Sequence, residues 1–383
     1  MGKGFVAALS ALCLMLAAQA EAKPGPARTG RDPAAAVARC VRERADAEGF
    51  SGIVSILRRG RPAAVVARGV AAGEGSRPIG SGTRFNLASA SKMFTAVAVA
   101  QLVDSGKVRL DDPIGRFVEG LEPATAAVTV RQLLTHSSGL GSFFAPQNRA
   151  AMMRARTASD LLPLIADETP AFAPGSRFSY SNSGFALLGV MIERVSGRSY
   201  GDYLKAHVFA PAGMSSTGVD PAPLATLAIG MTSVSPGQGP AGAATRRPAP
   251  GAGARFGTPA GGLFGTAADI QKFLKALGSN RLASRAMTQA LTTAQVQVAP
   301  PTATEGGRHY GFGFGAGTFE KLRWFGHNGG NPGANVEVAA FPDEGWSLVV
   351  LSNRDPPAAT DLFRYVRALI ASPEPGRCSG PSR

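Results

Sequence analysis

β-rich runs lie at the two ends of this chain and helical patterns fill the long stretch between them, which leaves few ways to build a sheet. Phe50 to Leu57 and Ala63 to Val70 are separated by Arg58-Arg59-Gly60-Arg61-Pro62, a hairpin signal. Strand-like runs return at His309 to Thr318, Leu322 to Phe325, Asn335 to Phe341 and Trp346 to Leu351. From Ser89 to about Ala290 the periodicity is helical, with capping boxes expected at Thr129 with Gln132, Ser199 with Asp202, and Thr266 with Asp269. Strands at both ends with helices between suggest one antiparallel sheet assembled from the two chain ends, with an all-helical subdomain inserted. The expected class is α/β, with sheet parts at about 34–85 and 306–370 and a helical part at about 86–305. Helices at Pro33 to Glu48 and Asp361 to Ala371 would cover one sheet face and bring Cys40 toward Cys378.

The first residues read as an export signal. Met1-Gly2-Lys3 is a short positive start, Phe5 to Ala18 is an unbroken small and apolar run, and Ala18-Gln19-Ala20 and Ala20-Glu21-Ala22 are small-x-small cleavage sites. That run is too short to span a bilayer, and no later segment approaches the length a span needs. The expectation is a signal peptide over 1–20, a Pro/Gly/Arg leader over 21–33, a tail over 371–383, and a periplasmic or secreted protein. Cys13 falls within the signal, so the mature chain keeps Cys40 and Cys378. An oxidising compartment allows these two to pair, and two free thiols are the alternative. Lys and Arg outnumber Asp and Glu by 40 to 26, a formal net charge of +14 that permits weak attraction to anionic cell-envelope polymers. No basic block is interleaved with aromatics, so nucleic acid is not an expected partner. Ser233 to Pro259, rich in Pro, Gly and Ala, is too long for an ordinary connection and reads as a mobile or functional loop.

Chemistry concentrates in Phe85-Asn86-Leu87-Ala88-Ser89-Ala90-Ser91-Lys92-Met93-Phe94-Thr95. On a helix starting near Ser89, Ser89 and Lys92 are three apart and share a face. The continuation to Val103 is apolar almost all round, which places this helix at the centre of its subdomain. Burial lowers a lysine's pKa, so Lys92 can act as a neutral proton acceptor beside the serine. The N–H groups of a helix start are available to a developing oxyanion. A second segment sets Tyr180-Ser181-Asn182 after a turn and before an apolar helix, Phe185 to Val195. A cationic lysine nearby is expected to lower the Tyr180 pKa and let the phenol shuttle the Ser89 proton. Asn182 offers an amide to a substrate carbonyl. A third segment, Phe325-Gly326-His327-Asn328-Gly329-Gly330, puts glycines where backbone must approach a ligand closely. The Gly330 N–H, with that of Ser89, would complete an oxyanion hole. Each segment alone also has a structural reading: a solvated helix start, a packed tyrosine, a hydrogen-bonded histidine. The chain has no Gly-x-Ser-x-Gly elbow and no His-Glu-x-x-His. Its histidines, His136, His207, His309 and His327, lack metal-ligand spacing, and no phosphate loop or dinucleotide fingerprint is present, so no metal or cofactor is expected.

Taken in order, these segments resemble the serine β-lactamase and penicillin-binding superfamily, nearest the class C β-lactamases and their DD-peptidase, D-aminopeptidase and esterase relatives. The likeness extends through Leu110-Asp111-Asp112-Pro113, Leu133-Leu134-Thr135-His136-Ser137-Ser138-Gly139-Leu140, Pro211-Ala212-Gly213-Met214 and Ala260-Gly261-Gly262-Leu263, roughly Ala34 to Ile370 in all. The resemblance implies a class C β-lactamase-like fold, with the site in a groove between sheet and helical parts. It implies Ser89 as the acylated nucleophile and Lys92 with Tyr180 as the coupled pair that handles its proton. Asn182 would bind substrate, and His327-Asn328-Gly329 would occupy the strand position of the family's Lys-Thr-Gly. His136 is marked as a residue supporting the fold. The departure is His327, largely neutral near pH 7 where a lysine would be a permanent cation for a substrate carboxylate. Asn328 likewise replaces a hydroxyl with an amide. Such His-x-Gly variants resemble aminopeptidase, esterase and general hydrolase members. The expected function is hydrolysis of a small-molecule or peptide ester or amide, a D-amino-acid peptide or small ester, through an acyl-Ser89 intermediate. A β-lactamase or DD-peptidase proper, and a non-turnover penicillin-binding or sensing protein, are the alternatives.

Overall fold

The computed structural model describes residues 33–73, 75–233, 246–249, 256–302, 305–371 and 378. The expected signal peptide and nearly all of the leader lie outside the described residues, as do most of the 233–259 loop and all of the tail beyond 371 except Cys378.

The two chain ends do build one antiparallel sheet. β1 (Gly52–Arg58) and β2 (Arg61–Arg68) form the early hairpin. From the far end come β3 (Val296–Ala299), β4 (Glu305–Tyr310), β5 (Gly315–Phe319), β6 (Leu322–Asn331), β7 (Ala334–Phe341) and β8 (Trp346–Ser352). Their spatial order is β2-β1-β8-β7-β6-β5-β4-β3, so the ends meet where β1 pairs with β8, Gly52 opposite Ser352 and Arg58 opposite Trp346.

The central strands read as near-continuous apolar runs because both sheet faces are covered. Strand alternation sends Ile53, Val336, Val338, Val349 and Leu351 into the core shared with the helical part. Their neighbours Val54, Ile56, Ala339, Phe341, Leu348 and Val350 enter a second core, beneath α1 (Pro33–Ala47) and α5 (Ala358–Ala371). There Cys40 and Cys378 are joined in a disulfide, with Cα atoms 5.0 Å apart. On the other face, α2 (Lys92–Asp104) is buried on every side from Lys92 to Ala100, as its nearly all-round apolar run requires. It packs against α3 (Asn182–Ser196). α4 (Ala267–Gly278) is tied to the sheet through Gln271, whose amide donates to the Ser55 carbonyl at 2.9 Å and accepts from Ser347 Oγ at 2.6 Å. Thr129 with Gln132 closes a complete capping box, whereas Ser199 and Thr266 only accept from the Asp202 and Asp269 N–H groups without the reciprocal bond.

Three strand expectations change. The run from His309 to Thr318 is two strands, broken after Tyr310 by a turn at Gly313, whose φ is +74°. A Cβ at Gly313 would lie 2.4 Å from the Ala96 Cβ, so this turn docks directly on α2. β6 does not stop at Phe325 but runs through the glycines to Asn331, because β7 continues to pair with it as far as Ala334. β3 falls inside the stretch read as helical; its Val296-Gln297-Val298 alternation is too short to declare itself without a partner strand. Among the described residues no helix is long and apolar enough to cross a membrane.

Candidate active site

Ser89 sits on a backbone turn that is held from several sides. The Asn86 side-chain oxygen accepts from the Ala88 N–H at 2.8 Å, and Ala88 itself adopts φ +43°, a conformation L-residues rarely take. Such strain persists only where surroundings impose it. Here the Ala88 carbonyl accepts from the Gly262 N–H at 3.0 Å and from Ser91 Oγ at 2.8 Å, and Ser91 Oγ in turn accepts from the Leu263 N–H at 3.1 Å. The Ala260-Gly261-Gly262-Leu263 segment is therefore a strap across the nucleophile turn. The turn, a 3-10 segment over Ala88–Ser91, feeds straight into α2 and puts Ser89 and Lys92 side by side.

Lys92 is 0 % exposed, and burial holds its amine well below the ordinary lysine range. Nζ donates to Asn182 Oδ1 at 2.8 Å and to the Ala260 carbonyl, and its third direction faces Ser89 Oγ at 3.4 Å. A neutral amine with two N–H groups committed to pure acceptors turns its lone pair toward the serine hydroxyl. Asn182 opens α3 and also donates through Nδ2 to Ser142 Oγ at 3.0 Å.

Tyr180 corrects the reading of its acidity. Its hydroxyl bonds with Ser89, and its ring lies 4.7 Å from Lys92 Nζ. The pKa is not lowered: burial of the hydroxyl pushes it up to about 12, with the Ser89 bond opposing only in part. Burial disfavours the cation on the Lys92 amine, and the Ser89 bond alone does not draw out a phenolate. Although 41 % of the residue faces solvent, its hydroxyl is turned inward.

The third segment divides. Gly329 and Gly330 reach the site. A Cβ on Gly329 would lie 2.8 Å from the Ser89 nitrogen, so only glycine lets β6 come this close, and Gly330 lines the groove with Ser89 and Asn182. Asn328 is exposed and stands on the opposite strand face, paired with Glu337. His327 is buried beneath the groove and does not line it. Its Nε2 meets the Tyr310 hydroxyl at 2.8 Å and its Nδ1 meets the Asn328 carbonyl oxygen. Tyr310 also meets His136 Nε2 at 3.2 Å, and His136 Nδ1 accepts from the Ser181 N–H at 3.0 Å. His136 stacks 4.2 Å from the Tyr180 ring, so it supports the site as well as the fold.

Sequence reasoning missed Ser142, the Ala260 carbonyl and Tyr310. Ala260 had a signal in the glycine pair that follows it; Ser142 and Tyr310 had none. The groove encloses about 840 Å³ and is lined on one side by Phe144, Met152 and Met153. Arg149 is the one charged residue among those lining it. No three His, Cys, Asp or Glu side chains cluster at metal-binding distance among the described residues.

Comparison with known proteins places the chain among penicillin-binding proteins, esterases and amidases by similarity. Penicillin-binding protein 4* of Bacillus subtilis (strain 168) is 37 % identical over 151 residues, 37 % of this chain and 32 % of that protein, so the match spans about a third of the relative's length. Esterase EstB of Burkholderia gladioli is 33 % identical over 168 residues, 40 % of this chain and 42 % of the esterase. The crystal structure of a penicillin-binding protein from Bacillus halodurans superposes with a TM-score of 0.75 at 28 % identity, covering 86 % of this chain and 98 % of that one. Other relatives are named D-aminopeptidase and D-amino acid amidase. A family match running from residue 37 to residue 372 takes in every strand of the sheet and every wall of the groove, and the chain therefore belongs to the Beta-lactamase family.

Proposed function

We propose that this protein hydrolyses small esters or amides, D-amino-acid derivatives included, through an acyl-Ser89 intermediate. The carrying observation is the fully buried Lys92 amine, fixed by Asn182 and the Ala260 carbonyl with Ser89 Oγ in its remaining direction. As Ser89 Oγ attacks the substrate carbonyl carbon, its proton passes to Lys92 Nζ. The oxyanion of the tetrahedral intermediate is received by the Ser89 and Gly330 N–H groups. Tyr180, protonated because of its raised pKa, hands its proton to the leaving alcohol or amine and is reprotonated from Lys92. Water then attacks the acyl carbon, the same pair takes its proton, and Ser89 is released with the acid product.

The substrate preference follows from charge. With Lys92 and His327 both held toward their neutral forms by burial, the one standing cation among the residues lining the groove is Arg149, which belongs to the segment of Met152 and Met153 and not to β6. Neutral esters and amides are favoured over β-lactams, while Phe144, Met152 and Met153 supply an apolar wall. The Cys40–Cys378 disulfide supports export to the periplasm or beyond. The test is labelling by a fluorophosphonate and by a fluorescent penicillin, with turnover of p-nitrophenyl esters and D-amino-acid amides, for the protein and for Ser89→Ala. Ser89-dependent labelling and ester or amide turnover are expected, and absence of any Ser89-dependent label overturns the proposal.

A further inference from the structure

Both ring nitrogens of His327 are occupied by the protein, and the hydrogen bonds that occupy them can be followed in one direction only. The Ser181 N–H can only donate, so His136 Nδ1 accepts and the His136 proton resides on Nε2. That Nε2–H donates to the Tyr310 oxygen, which leaves the Tyr310 hydroxyl proton for His327 Nε2. From the other end, the Asn328 carbonyl oxygen can only accept, so the His327 proton resides on Nδ1. The two ends give the same assignment. His136 is 0 %, Tyr310 6 % and His327 7 % exposed, so this chain of bonds is shielded from bulk solvent.

We propose that Tyr310 and His136 are positioning residues whose one-way hydrogen-bond chain locks His327 as a neutral Nδ1–H tautomer turned away from the groove. His327 then holds β6 in place behind Ser89 instead of binding substrate. This rests on the hydrolase reading above and deepens it by naming a substrate class. The part of the substrate lying along β6 carries no carboxylate, because the strand presents backbone N–H groups and no side-chain cation.

None of the ionisable groups around His327 favours an imidazolium. Lys92 of α2 is on the same side, Tyr180 lies 6.5 Å away between ring centres, and Tyr310 of β4 is in contact with His136 behind it. From β7 the residue opposite is Val338, and Glu337 sits on the far face of the sheet. No acidic side chain among these could stabilise an imidazolium. Burial first pushes the His327 pKa down to about 3, and a proton taken up by Lys92 adds to that push.

The test is long-range proton–nitrogen NMR of the full-length mature protein labelled with 15N-histidine, between about pH 5 and 8 where a free imidazole titrates. The expected result is one His327 signal set with a protonated Nδ1 and a bare Nε2, unchanged across that range. In Tyr310→Phe, which leaves Nε2 without its donor, the Nε2 signal should shift and the Nε2–H tautomer should become populated, while burial still keeps His327 from titrating. In the wild type, kcat/KM for a neutral ester should exceed that for its carboxylate-bearing analogue about tenfold, with a ratio unchanged across the range. Titration of wild-type His327 in that range, or an Nε2–H tautomer, overturns the proposal. This readout needs no folded variant, since wild-type spectra alone decide it. It is also independent of turnover: failure of Ser89 to acylate with the His327 spectrum as expected would remove the hydrolase reading and leave the tautomer lock standing.

Discussion

At the scale of single residues, the site is assembled by close approach. Gly329 is the clearest case, since its missing side chain is what lets β6 lie against the nucleophile turn. Gly329→Ala would place a Cβ 2.8 Å from both the Ser89 nitrogen and the Ala88 Cβ, and 3.0 Å from the Leu87 carbonyl. All three neighbours belong to a turn already held at the strained Ala88 φ, so the strand must retreat. A displacement on the order of 1 Å at a reacting centre lowers rate about a hundredfold. Gly329→Ala is therefore expected to cut kcat/KM for the best ester by about two orders of magnitude with little change in melting temperature. Loss of activity only in step with loss of folded protein would contradict this.

At the scale of elements, β7 and α5 share a buried acid. Glu337 lies under α5, where its Oε1 accepts from Thr360 Oγ1 at 2.6 Å. Burial raises its pKa from the ordinary 4.5 to about 7, with the Thr360 bond and the Arg364 and Arg367 charges opposing. Between those two values the folded state keeps a proton that the unfolded state has lost, so stability falls as pH rises through this window and levels off above it. At one pKa unit per ~1.4 kcal/mol, the accumulated penalty above pH 7 is about 3 kcal/mol. Glu337→Gln keeps an oxygen for Thr360 and removes the ionisation. It is expected to stabilise the protein by up to about 3 kcal/mol above pH 7 and by nothing below about pH 4.5. Urea unfolding at several pH values checks this, and a gain independent of pH would show that Glu337 is not the titrating group.

At the scale of the whole molecule, catalysis and stapling occupy opposite faces of one sheet. Ser89 and α2 belong to the core on one side, while Cys40 and Cys378 close the second core on the other, across 338 residues of sequence. Removing a native disulfide typically costs about 2–5 kcal/mol. The double variant Cys40→Ala with Cys378→Ala should lose stability on that order while fluorophosphonate labels Ser89 at an unchanged rate in the cold. A slowed reaction in fully folded variant would show that the two faces are coupled.

The sequence by itself determined the sheet from both chain ends, the buried helix behind Ser89 and the proximity of Ser89 to Lys92. Each of these follows from periodicity or spacing within a few turns of chain. It also marked Tyr180, Asn182 and the β6 glycines as chemistry-bearing, because their residue types are informative where they stand. Only the tertiary structure decided which way His327 faces, that Asn328 stands on the outer face, that Tyr180 keeps its proton, and that Ser142, Ala260 and Tyr310 take part. Those facts depend on burial and on partners tens to hundreds of residues away, as when Lys92 meets Ala260 or Tyr310 meets His136. A proton's position is set by what surrounds the group in space, and no local pattern in the chain encodes it.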